Sequence, residues 1–178
     1  MMSARPWNQQ ISANYEHAEA VSMMRAGPNA MIGQVVFWET PSTGRVTCRG
    51  SGVTLLPATN YAKQWFPRHF GGSGLVDRPT QLEGLSPTVK GFLSLAKYSP
   101  CNDAGEFRFD HLKTGDYILH TSIEWPPGSK MTGQTFYAVV HVAEGRDTQV
   151  VVSSPYRLPN ATFPPPTVEF GIPYRGSR

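Results

Sequence analysis

Apolar and polar residues alternate through the middle of the chain, and the alternation predicts seven short strands. From Ala30 onward, Gly33, Val35 and Phe37 fall on one face and Ile32, Val36 and Trp38 on the other. This is the period-two signature of a strand buried on at least one side. A second strand spans 53–56 and ends at Pro57, and a third spans 92–99. The turn Asn102-Asp103-Ala104-Gly105 leads into a fourth at 106–109. After the turn at Lys113-Thr114-Gly115-Asp116, the fifth strand, 117–123, puts Tyr117, Leu119, Thr121 and Ile123 on one side. The last two, 135–142 and 148–152, flank Glu144-Gly145-Arg146. Seven short strands with regular turns predict an all-β sandwich.

The alternation stops in three places. An N-terminal arm, residues 1–29, contains Ala18, Val21, Met23 and Met24 at loosely helical spacing, which predicts a short helix over 14–24 with Asn14 as its cap and Gly27-Pro28 as its stop. Residues 58–91 are too long for an ordinary connection and predict an insertion with its own short helix near 61–66. Residues 154–178 form a tail with prolines at 155, 159, 164, 165, 166 and 173, expected to lie extended and to dock. The sandwich itself is bounded at 30–153.

Composition narrows the classes. Among 178 residues, 17 glycines and 16 prolines make nearly a fifth of the chain, so long helices cannot dominate. A net charge of +3 is well short of what groove binding to nucleic acid demands. No run of about 18 apolar residues encodes a spanning helix, and residues 1–20 lack the apolar core of a secretory signal, so these residues leave a cytoplasmic location open beside an exported one. Cys48 and Cys101 lack zinc-motif spacing, leaving a disulfide or two buried thiols.

Four segments together resemble the carboxypeptidase regulatory-like domain: Gly33-Gln34-Val35; Gly50-Ser51-Gly52-Val53-Thr54-Leu55-Leu56-Pro57-Ala58-Thr59-Asn60-Tyr61; Asp103-Ala104-Gly105-Glu106-Phe107-Arg108-Phe109; and Leu112-Lys113-Thr114-Gly115-Asp116-Tyr117-Ile118-Leu119. With Ile123-Glu124-Trp125, the stretch 53–61 is similar to a bacterial exported branch of that family. The resemblance covers roughly residues 30–153 and implies a transthyretin-like (prealbumin-like) sandwich without catalytic activity. In that fold the strand starting near Val53 lies antiparallel to the one ending near Ser99. This brings Cys48 and Cys101 to one end of a sheet, implies a disulfide between them, and with it a periplasmic or extracellular location.

Candidate chemistry is sparse. Ser51 sits between Gly50 and Gly52, but the segment leads into a strand rather than a helix, so it is no nucleophile elbow. Gly71-Gly72-Ser73-Gly74 lacks the Lys-Ser/Thr of a phosphate loop, and Asn160-Ala161-Thr162 is a chance-level glycosylation match. His120, His141 and Glu124 form a candidate metal set if their strands make a hairpin, against the blander reading of a solvated histidine pair. No cofactor is implied.

Aromatic residues outside the sandwich carry the strongest signal: Trp7, Tyr61, Trp65, Phe66, Phe70, Phe163, Phe170 and Tyr174. Local packing, a partner interface and a carbohydrate platform near Trp65 all account for them. The expected role is a non-catalytic accessory or structural subunit that binds larger protein partners. Its setting would be the periplasmic face of a bacterial membrane complex, with no transmembrane segment of its own. The alternative is a free-standing carbohydrate- or peptide-binding module.

Overall fold

A computed structural model describes residues 13–38, 45–70, 75–76, 86–124, 133–154 and 167–170. Two five-stranded sheets pack face to face, and a helical layer covers the outer face of one of them. In the first sheet, β1 (Asn29–Trp38) is central. The strand β9 (Thr148–Ser154) runs parallel to it on one side, with β10 (Thr167–Phe170) antiparallel beyond. The other side of β1 is shared end to end by β2 (Arg45–Thr47) and β6 (Glu106–Leu112).

The second sheet has the order β4 (Leu75–Val76), β8 (Gly133–Val142), β7 (Gly115–Glu124), β3 (Val53–Pro57) and β5 (Lys97–Ser99), all antiparallel. Met31, Val35, Phe107, Phe109 and Val150 of the first sheet meet Val53, Leu55, Tyr117, Leu119 and Val140 of the second in one buried core. The alternation in β6 needs a correction to reach it. Between Asn29 and Met31 the register slips by one residue, and His111 takes φ 56°, so Leu112 returns to the core after Phe107 and Phe109.

All seven expected strands are present among the described residues, joined by three short ones, β2, β4 and β10. Those three are too short to show a period in sequence. The third strand is the correction: instead of spanning 92–99 it is only Lys97–Ser99, because Phe92 lies in helix α3 (Pro87–Leu93). Ser86 caps that helix by accepting from Val89 N, and Pro87 fits its first turn, where no N–H is needed. Val89 and Phe92, three residues apart, then point the same way, into the helical layer.

The insertion supplies the rest of that layer. Helix α2 (Asn60–Phe70) brings Ala62, Trp65 and Phe66 against Leu56 and Ile118 of the second sheet and against α3. This explains why β3 is buried on both faces, with Val53 and Leu55 in the core between the sheets and Leu56 under the helical layer. The N-terminal helix α1 is shorter than 14–24 predicts. It spans His17–Met23, begins after Glu16, and has no side-chain cap. Its end is tied to the body by the Tyr117 hydroxyl, which is shared between the carbonyls of Met23 and Lys113 at 3.2 and 3.0 Å.

Candidate functional site

The strand β5 and the turn between β2 and β3 meet at one end of the sandwich. Ser51 N and Gly52 N both donate to the carbonyl of Cys48, closing residues 48–52 into a tight turn. Gly50 and Gly52 take φ 82° and 72°, values that an L side chain adopts only with strain. Cys48, buried, is disulfide-bonded to Cys101 with the Cα atoms 5.7 Å apart. The bridge therefore joins the end of β2, in one sheet, to the end of β5, in the other.

Across from this turn, Val53 pairs with Ser99 and Thr54 with Tyr98. Tyr98 points outward. Its Oη, Cζ and Cε2 occupy the space where a β-carbon on Gly52 would stand, and its hydroxyl donates to Ser51 O at 3.4 Å. The ring is thus braced at its phenolic end while 61% of the residue remains exposed. Tyr98 is therefore a ring held by the neighbouring turn while its faces stay open to solvent.

A second turn completes this end. The Asn102 side chain accepts from Ala104 N and Glu106 N, and Gly105, at φ 78°, donates to the carbonyl of Asn102. Gly105 has no room for a side chain, because Val35 O and Thr47 lie where the β-carbon would be. Arg49 on the first turn and Asp103 on the second form an ion pair, Nε to Oδ1 3.1 Å, with side chains 70% and 85% exposed.

A separate polar cluster lies on the outer face of the second sheet. His141 Nδ1 donates to Asp116 Oδ1 at 2.8 Å, and Lys63 of α2 approaches Asp116 Oδ2 at 3.6 Å. The hydrogen bond from His141, followed by the charge of Lys63, holds the Asp116 carboxyl below its usual range despite some desolvation. The cluster ties α2 to β7 and β8.

The candidate metal set separates. His120 and His141 share a face, but His120 pairs with Tyr137 and His141 with Asp116, four positions apart along the strands. At about 3.3 Å per residue that is roughly 13 Å, far beyond joint ligation of one ion. His120 Nδ1 instead lies 3.1 Å from Thr54 Oγ1, and its ring meets Phe66 edge-on. The side chain of Glu124 lies outside the described residues. Among the described residues no group of three or more His, Cys, Asp or Glu could hold a metal.

Of the eight rings, Trp65 is 7% exposed and Phe66 is buried, both inside the helical layer, with Tyr61 half-buried against Phe92. Their place in the interior, not on a surface, follows from the paired apolar faces of α2 and β3. For Phe70 and Phe170 only the backbone is described, in α2 and opposite Val150 in β10. Trp7, Phe163 and Tyr174, along with the Gly71–Gly74 segment and the Asn160 match, lie outside the described residues. Sequence reasoning missed Tyr98. Its signal was an aromatic residue between two polar positions in a strand, facing a Gly-Ser-Gly turn.

No family model matches the chain, and no curated protein matches it. Among solved structures, a Pseudomonas aeruginosa protein described as a "putative carbohydrate binding protein" has a similar fold, with a TM-score of 0.59 and 21% identity over 79% of this chain and 98% of that one.

Proposed function

We propose that the chain is a non-catalytic binding module that takes a carbohydrate at the Tyr98 end of the sandwich. The observation that carries the reading is the braced and exposed Tyr98 ring. The C–H face of a pyranose packs against such a ring, and a ring already immobilised loses little side-chain entropy on binding. The similar Pseudomonas aeruginosa protein, by its description, supports the same ligand class.

The accessory-subunit reading draws on eight rings, two of which are buried within the chain and most of the others not described on their surface. It has less to stand on than the carbohydrate reading. The disulfide supports maturation in an oxidising compartment, in keeping with a periplasmic or extracellular module.

Tyr98→Ala tests the reading. Losing the contact area of one aromatic ring costs about 1.5–3 kcal/mol, roughly a ten- to hundredfold loss of affinity. Calorimetric titration with neutral oligosaccharides should show that loss while circular dichroism and Tm stay unchanged. Undiminished binding by the variant contradicts the proposal.

A further inference from the structure

We infer that the saccharide is neutral and that the Arg49–Asp103 pair beside Tyr98 selects it; the inference rests on the carbohydrate reading above. Arg49 is two residues from Ser51, whose carbonyl receives the Tyr98 hydroxyl. Two residues span at most about 7 Å, so the guanidinium-bearing turn adjoins the ring. Asp103 is two residues beyond Cys101, which the disulfide fastens to the base of the same turn. An oligosaccharide lying on Tyr98 thus starts beside the two turns that carry the charged groups, and its next residues extend along that end of the sandwich.

The chemistry of the pair sets the class. A guanidinium only donates and an ionised carboxylate only accepts, whereas a hydroxyl does both. Set 3.1 Å apart, Arg49 and Asp103 suit neighbouring hydroxyls, one accepting from Arg49 and the next donating to Asp103. A uronate would gain Arg49 but meet the like charge of Asp103, and a cationic amino sugar would meet the reverse. An ion pair this exposed adds little to folding, so the fold alone gives little reason for its geometry. The nearby Asn102 amide is already committed to Ala104, Glu106 and the turn they form.

Isothermal titration of the full chain and of Arg49→Ala, Asp103→Ala and Tyr98→Ala with cellohexaose, mannohexaose, hexagalacturonate and chitosan hexamer tests this. The expected result is binding of at least one neutral hexaose, at least tenfold tighter than the two charged ones. Each pair variant should weaken it about tenfold, the worth of a hydrogen bond to a charged group, with Tm unchanged. Tighter binding of hexagalacturonate or chitosan overturns the inference. So does neutral binding that falls with Tyr98→Ala but is unmoved by both pair variants, and in that case the carbohydrate reading survives. Binding unaffected by Tyr98→Ala, or no binding by any of the four, overturns the carbohydrate reading itself.

Discussion

Gly52 and Tyr98 depend on each other. At φ 72° and with the Tyr98 phenol occupying its β-carbon position, Gly52 admits no side chain. Gly52→Ala is expected to displace the ring and to add the left-handed backbone cost of about 1–2 kcal/mol. A thermal melt should show the lower Tm, and titration the weaker saccharide binding; a variant that matched the parent in both would mean the ring is not braced there. Phe66 tests the opposite environment. Its ring meets Trp65, Phe92, His120 and Tyr137. Phe66→Ala should therefore cost about 3–5 kcal/mol in chemical denaturation, with binding at the Tyr98 end kept by the molecules still folded. A loss under about 1 kcal/mol would remove the helical layer from the core. These two rings show what sequence leaves unread. One lies on an edge strand and the other on a helix, and only what each element packs against decides which ring is buried.

The elements differ in how firmly they are held. β5 is a three-residue edge strand, and the Cys48–Cys101 bridge anchors its end to the turn that braces Tyr98. Closing a loop with a sequence separation of 53 is worth about 4 kcal/mol in the chain-entropy model. Cys48→Ser with Cys101→Ser should thus lower stability by up to that amount in urea and weaken saccharide binding, because β5 loses its anchor. Unchanged affinity in the double variant would show that the three ladder residues suffice.

At the far side of the sheet, Asp116 is held below its ordinary carboxylate range by His141 of β8 and Lys63 of α2. A folded-state value below the unfolded one stabilises the protein above the unfolded pKa, about 3.9, and that contribution is lost as pH falls through the folded value. Stability measured from pH 7 to pH 2 should therefore drop more steeply below about pH 4 in the parent than in Asp116→Asn; parallel curves would contradict the assignment. Six of the seven expected strands were legible because each runs over five or more residues, whereas β5, with three, was read too long at its start. The helix at Pro87 was legible only through Ser86-Pro87, a cap signal that the apolar run after it concealed. The disulfide was open on residue chemistry alone and became an expectation only through the resemblance that places the two strands side by side.

At the scale of the whole molecule, the chain is a two-sheet body with helices on one outer face and a stapled, polar end on another side. The sandwich class followed from strand spacing. The third layer did not, because the burial of Leu56 and Ile118 on the outer face depends on how the insertion folds back over the sheet. The candidate site was least legible of all. Arg49, Ser51, Tyr98 and Asp103 come from two turns and an edge strand whose proximity is set by pairing, not by spacing. Amide chemical-shift mapping of the labelled protein during titration with a neutral hexaose tests most directly whether this end binds the ligand. Saturable shifts concentrated at Arg49–Thr54, Lys97–Ser99 and Asp103 are expected. Shifts centred on Lys63, Asp116 and His141, or none with any neutral hexaose at millimolar concentration, would contradict binding at this end.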